Sequence, residues 1–304
     1  MTKLTARELE IIDTHFKHCP DLTQKTRFQR SKEKSSAYNP RTRRVYLHRN
    51  DKTKMGIQGM CFNHSEAVVG TLTCNHAIKY WDKRRRATPR ELAAYQGFPD
   101  TYKLPERSAQ RLFGNAVSVP VAEWAVRQAV GDKRPATFID LCAGMGGFHL
   151  AVEAAVPDIQ CVGYSEIMRA AIRSYETNFP GVPALGDLTQ LQDIPQADMV
   201  VGGFPCQPFS IALRMKGEHP KAGMFEHVLR VIKQSGASFI VLENVPTLRT
   251  RGKAVLERLL AELDTMGFRV QQHLLNSMDF GLKQTRKRLY ITGVREYIKS
   301  EGTT

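Results

Sequence analysis

The chain has 304 residues, of which 42% are hydrophobic and 24% charged, so it can build one large core beside a small second domain and is not globally disordered. No apolar run is long enough for a membrane span, and the opening MTKLTARELE lacks the apolar stretch of a secretion signal, which predicts a cytoplasmic protein. The net charge of +14 is lopsided: residues 1–137 carry 26 Lys+Arg against 13 Asp+Glu, and the remainder carries 18 against 17. That places a polyanion-facing segment beside a near-neutral body.

In chain order, a helix is predicted near Ala6–Phe16, followed by a polar basic stretch with short β-like pieces at RVYLH and AVVGTLT. This part reads either as an irregular recognition domain or as a partly disordered arm. Residues 131–136, GDKRPA, have linker composition. From Thr137 onward, apolar strands alternate with amphipathic helices. The strands are TFIDLC, IQCVGYS, ADMVVGGF, SFIVLENV, RVQQHLLN and KRLYITGV; the helices are FHLAVEAAV, MRAAIRSYETNF, MFEHVLRVIKQ and AVLERLLAELDTMG. The alternation predicts a doubly wound, mostly parallel sheet, with ligands at the carboxyl ends of its strands. Residues 1–80 are expected to form the recognition domain, 81–130 to complete the catalytic domain, and 137–304 to form its core.

The chemistry-bearing residues fall at those strand ends. FIDLCAGMGG, residues 138–147, runs from a strand through glycines into a helix, where backbone amides can approach a ligand. Glu166 ends the next strand and suits ribose hydroxyls; Asp187 follows in GDLTQL and suits an adenine amino group. In VVGGFPCQPFS, Cys206 sits in a rigid turn where a thiolate could act as nucleophile. Glu243 ends the apolar strand of IVLENVPTL, where a carboxylate is costly without a task. Arg286 and Arg288 alternate in QTRKRLYITGV and are expected on one strand face. Asn115, in QRLFGNAVSVPVAEWAV, carries an amide able to donate and accept. The six cysteines (Cys19, Cys61, Cys74, Cys142, Cys161 and Cys206) form no dense pattern and are expected as free thiols. Cys61, His64, Cys74 and His76 lack a standard zinc spacing, and no metal is expected.

Together these motifs resemble the cytosine-C5 DNA methyltransferase family over roughly residues 85–295. FIDLCAGMGG is similar to its cofactor motif, Pro205-Cys206-Gln207 to its nucleophile motif and Glu243-Asn244-Val245 to its Glu-Asn-Val motif. Gln284, Arg286 and Arg288 match Gln-x-Arg-x-Arg, residues 90–100 match a late Arg-Glu…Gly-Phe-Pro-Asp element, and Gly114–Val117 match the final Gly-Asn-x-Val. Two features depart from the family. The late elements come first, which looks like a circular permutation joined through GDKRPA, and Cys142 stands where the family often has an aromatic residue.

The resemblance implies the class I S-adenosylmethionine-dependent methyltransferase fold and methylation of cytosine C5 in a specific duplex DNA sequence. Cys206 adds to C6 of a flipped base, Glu243 stabilises the protonated ring, Arg288 fixes the base and Arg286 helps position the nucleophile loop. S-adenosylmethionine is expected on Phe138, Asp140, Cys142, Gly144, Met145, Gly146, Glu166, Ile167, Asp187, Leu188, Pro205, Met224, Asn115 and Val117. DNA is expected on Gln207, Ser210, Arg84, Arg85 and Arg86, with residues 207–223 closing over the base. A monomer in a bacterial, archaeal or phage-infected cell follows, with a restriction endonuclease as a functional rather than physical partner. Two other readings compete: a tRNA cytosine-C5 methyltransferase and a non-catalytic DNA-binding regulator.

Overall fold

The structure, a computed structural model, describes residues 3–16, 36–39, 44–47, 60–105, 107–205 and 223–295. Cys206, Gln207, Ser210 and all but the last residue of the expected closing loop over 207–223 lie outside these residues, as does the side chain of Cys61.

The chain opens with α1 (Ala6–Phe16) and the short strands β1 (Ser36–Asn39), β2 (Arg44–Leu47), β3 (Met60–Asn63), β4 (Lys79–Tyr80) and β5 (Arg85–Arg86), which form one five-stranded sheet in that order. Glu8 of α1 ties the helix to this sheet through Lys79 at 2.8 Å and Arg86 at 3.1 Å. Burial alone would raise the Glu8 carboxyl, but the two cations and the Thr5 amide outweigh it and hold it at about 2. The small sheet runs on to Arg86, six residues past the expected end of the recognition segment.

AVVGTLT, expected as a β piece, forms no strand. Val69 makes one parallel bridge to Gln284, donating from its amide to Lys283 O at 2.9 Å and accepting from Thr285 N at 2.9 Å. Pairing stops there because the Leu72 amide donates to the Gln284 side chain instead, at 2.7 Å.

Three helices follow: α2 (Pro89–Tyr95), α3 (Ala109–Asn115) and α4 (Val119–Val130). Thr88 and Glu91 close a capping box on α2, with Pro89 fitting the first turn. GDKRPA then leads from α4 directly into the large sheet. Its elements are β6 (Thr137–Leu141), α5 (Gly147–Ala155), β7 (Gln160–Ser165), α6 (Arg169–Asn178), β8 (Ala184–Gly186), β9 (Met199–Gly203), α7 (Met224–Gln234), β10 (Phe239–Asn244), α8 (Lys253–Thr265), β11 (Phe268–Asn276) and β12 (Lys287–Arg295).

The seven strands lie in the order β11-β12-β10-β9-β6-β7-β8. β8, β7, β6, β9 and β10 run parallel, and β12 pairs antiparallel with both β10 and β11. Strand periodicity divides the core between the two faces. Phe138, Met199, Val201 and Val241 pack with α4, α5 and α6; Ile139, Val200, Ile240 and Leu242 pack with α7 and α8. The chain winds outward from β6 to β8 and then returns to β9 on the other side of β6. The crevice at the ends of β6 and β9 is therefore the topological switch point, where such sheets bind ligands. Among the described residues, no helix is long and apolar enough to cross a membrane.

Candidate functional site

The turn after β6 is strained and partly open. Cys142, Gly144 and Gly146 have φ of +52°, +57° and +80°. A Cβ on Gly144 would meet nothing within 4 Å, whereas one on Gly146 would lie 2.2 Å from the Phe179 ring. The first glycine keeps a face clear for a ligand and the second lets the helix pack. Glu166, just past β7, accepts from Gly144 N at 2.9 Å through Oε2, and from Ile167 N and Met168 N at 2.8 Å through Oε1. Three amides thus hold this carboxylate at the mouth of the turn, with lone pairs left over. Beside it Ile167 is 66% exposed, an apolar side chain without a cover among the described residues. Asp187, after β8, is exposed and accepts from the amide and hydroxyl of Thr189, both at 2.8 Å, while Leu188 is buried.

Other expected cofactor residues lie behind the turn. Phe138 and Met145 are buried in the core, and Met145 O accepts from the Tyr102 hydroxyl at 2.7 Å. Tyr102 was not legible as a supporting residue: TYKLP carries no periodic or motif signal for it. The Cys142 thiol is pushed up to about 12, first by burial and then by Glu166, Asp140 and Asp187, so it stays neutral.

Asp140 is fully buried, and neither carboxylate oxygen has a hydrogen-bond partner. Burial and the Glu166 charge raise its pKa well above the ordinary value, slightly offset by the His149 amide. The sign for stability follows. A raised carboxyl stabilises the fold fully below its unfolded value of 3.8, and that contribution is lost as pH climbs toward the folded value. Asp140→Asn therefore raises the thermal midpoint relative to the parent, more at pH 8 than at pH 5. A melting series across that range checks this, and equal shifts at both pH values would contradict it.

The second half of the site is built on β9 and β10. Gly203 ends β9, and a Cβ there would lie 3.4 Å from Glu243 Oε2, so glycine leaves the carboxylate room. The Asn244 side-chain amide donates to Phe204 O at 3.1 Å, fixing the chain as it enters Pro205, just before the expected nucleophile Cys206. Glu243 is buried at the end of β10, with Arg288 Nε 2.8 Å from its Oε1. The pair is ionic: its angles do not make a hydrogen bond, and Oε1 has no other partner among the described residues. Tyr290 lies opposite Glu243 in the β10–β12 register, its hydroxyl pKa raised by burial and by that carboxylate.

Arg286 is used differently from its expected place beside Arg288. β12 starts only at Lys287, so Arg286 precedes the strand. Its buried guanidinium donates to Leu72 O at 3.0 Å, Gly114 O at 3.2 Å and Ala116 O at 2.9 Å. Those carbonyls belong to the segment after β3 and to the Gly-Asn-x-Val element. Within that element Asn115 is exposed and Val117 buried. Val117 touches both halves of the site: its side chain is 2.9 Å from a Cβ built on Gly147 and 3.8 Å from one on Gly203. Met224, the first residue of α7, packs half-buried against the α7–α8 core.

The arginines expected on DNA are occupied within the chain. Arg84 pairs with Asp13 at 2.5 Å, Arg85 with Glu91 at 2.7 Å and Arg86 with Glu8 at 3.1 Å. A contiguous basic triplet carries no sign of local carboxylates that arrive from α1 and α2. Among the described residues no cluster of three metal-ligating side chains occurs. His76 contacts the Thr73 hydroxyl, and His64 lies against Trp81 and Asp82.

Type II methyltransferase M.HgiCII of Herpetosiphon aurantiacus is 41% identical over 164 residues, 52% of this chain and 37% of the relative. Type II methyltransferase M.NlaX of Neisseria lactamica is 40% identical over 159 residues, 51% of each chain. The matched stretches thus span between 37% and 51% of these relatives' own length. Among solved structures, a putative DNA modification methyltransferase encoded within an E. coli prophage has 23% identity and a TM-score of 0.46, covering 55% of this chain and 49% of that one. The family model described as C-5 cytosine-specific DNA methylase matches residues 2–130 and 136–303, nearly the whole chain. The chain belongs to the C-5 cytosine-specific DNA methylase family.

Proposed function

We propose that this chain methylates C5 of cytosine in a specific duplex DNA sequence, using S-adenosylmethionine. The observation that carries the reading is the Glu243–Arg288 pair, set at the switch point beside Gly203 and the chain leading into Cys206. The relatives' printed names, type II methyltransferases of bacteria, support the same reaction class and a bacterial cytoplasm.

The residues at the turn fit the cofactor. Open space at Gly144, the uncovered Ile167, the amide-held Glu166 and the orphaned Asp140 carboxylate suit a nucleoside that carries a positive charge. When bound, S-adenosylmethionine supplies an electrophilic methyl group. Glu166 takes the ribose hydroxyls, Ile167 and Leu188 the adenine, Asp187 its amino group, and Asn115, Val117, Pro205 and Met224 the remaining walls.

At the base, Cys206 sulfur forms a bond to C6 while Glu243 holds a proton at N3, so electron density gathers at C5. Arg288 keeps Glu243 oriented. After C5 has gained its methyl group it loses its proton to a base, and the C6–sulfur bond breaks to return the thiolate. C6 is sheltered within the duplex, so the base is flipped out. The motif order is permuted, a reading supported by the two-part family match broken at residues 131–135, between α4 and β6. Gln207 and Ser210 face the DNA, and the enzyme acts as a monomer without a physical complex with any endonuclease.

Labelled methyl transfer to mixed-sequence duplex DNA, with product mapped by bisulfite sequencing, tests this. The expected product is 5-methylcytosine in one short context, absent with Cys206→Ser. No transfer to DNA, with transfer to tRNA instead, overturns it. The basic N-terminal segment adds a salt signature. DNA affinity is expected to fall about 10-fold or more between 50 and 200 mM salt through counterion release. A flat response in a filter-binding titration would remove that segment from the phosphates.

A further inference from the structure

The Gln96 side chain is fully buried and uses all four of its hydrogen-bonding positions. Its Nε2 donates to Phe113 O at 2.6 Å and to Ala116 O at 3.2 Å. Its Oε1 accepts from Ser118 Oγ at 2.8 Å and from Gln284 Nε2 at 3.1 Å. Gln284, equally buried, also donates to Tyr95 O at 2.7 Å, and its Oε1 accepts from Leu72 N at 2.7 Å. A chain of two side-chain amides therefore runs from the Leu72 peptide to the peptides on either side of Asn115.

Each end of this chain is unusually tight. A Cβ on Gly114 would lie 2.4 Å from the Thr73 carbonyl carbon, so the two backbones touch. Leu72 is held twice, its amide by Gln284 and its carbonyl by Arg286. Ala116 O is likewise shared by Gln96 and Arg286. The side-chain hydrogen bonds of both glutamines go to Leu72, Tyr95, Phe113, Ala116, Ser118 and each other, and none goes to the glycine turn or to Glu243.

We propose that Gln96 is a positioning residue that, through Gln284, couples cofactor binding at the Asn115–Val117 wall to DNA binding by the N-terminal segment. This rests on the methyltransferase reading of the same site. The segment 60–80 cannot shift on DNA without moving the Leu72 peptide, and that movement passes to the wall through two amides with no slack. Coupling between sites is reciprocal, so either ligand tightens the other by the same factor.

The test measures binding of S-adenosylhomocysteine by calorimetry, with and without duplex DNA, for the parent, Gln96→Met and Gln284→Met. Gln96→Met is expected to weaken cofactor binding about tenfold, the cost of a lost buried hydrogen-bond set, and to reduce the DNA effect. Gln284→Met is expected to leave cofactor binding without DNA within about threefold of the parent, because Gln96 still holds the wall, yet to reduce the DNA effect to what the Arg286 link alone carries. A merely structural role would lower both affinities and leave their ratio alone. Ser118→Ala removes a single donor to Gln96 and gives a smaller change in the same direction, should either larger substitution unfold the protein. Parent-like coupling in Gln284→Met overturns the proposal. A parent that binds no S-adenosylhomocysteine overturns the methyltransferase reading and this inference with it.

Discussion

Glu243→Gln is expected to lower the single-turnover methylation rate by about 10²–10⁴-fold, the usual worth of a positioned acid or base. The change keeps the shape of the side chain and removes only its charge and its proton. Gly203 already leaves space around Oε2, so nothing needs to repack. Arg288 loses its ionic partner, but its Nη1 still donates to Lys287 O at 2.8 Å, which keeps it in place. Folding and S-adenosylhomocysteine affinity should therefore stay near those of the parent, because the proposed role of Glu243 is toward the base and not toward the cofactor. Rapid-quench methyl transfer alongside equilibrium binding separates the two effects. A loss of less than about threefold would mean that the proton at N3 comes from elsewhere, and would leave the Glu243–Arg288 pair as a structural ion pair.

The sheet was legible because its strands obey one rule. A strand buried on both faces must be apolar nearly throughout, and β6, β9 and β10 read that way in sequence. α7 was placed residue for residue, since its apolar face repeats at helical spacing. β8 was missed because its three residues, one exposed and two half-buried, carry no period. The glycine turn and the Glu243 strand end were legible as motifs, but their partners were not. Nothing in the sequence near Glu166 announces that it accepts from Gly144, and nothing near Arg286 announces carbonyls at 72, 114 and 116. These contacts join residues far apart in the chain, and hydrogen bonds to backbone leave no trace in side-chain identity. Gln96 shows the same blindness: a glutamine at a helix end reads as surface until its partners are known.

Arg286→Met is expected to be the most destabilising single change in the site. The methionine fills much of the volume, but the carbonyls of Leu72 and Gly114 lose this donor together, and Ala116 O keeps only Gln96. Each buried group left unpaired costs about 1–3 kcal/mol, and removing a buried charged partner from its network costs about 3–5 kcal/mol in all. That is a large part of the roughly 5–15 kcal/mol that holds a domain folded. Arg286→Lys recovers only part, because an ammonium cannot span three carbonyls as the planar fork does. Burial, and then Arg288, depress the Arg286 guanidinium to about 10, with Glu243 and Tyr290 opposing them. A base lowered in the fold costs stability that is regained only as pH rises from about 10 toward its unfolded value of 12.5. Below that window both states are charged, so the loss should be the same at pH 6 and pH 8. Arg288→Met supplies the contrast: it takes no donor from those carbonyls but strands the buried Glu243 carboxylate, so activity should fall and stability should drop, though less than in Arg286→Met. Urea midpoints for the two variants decide the matter. If Arg288→Met unfolds first, the cage around Arg286 is not what holds the N-terminal segment to the seven-stranded sheet.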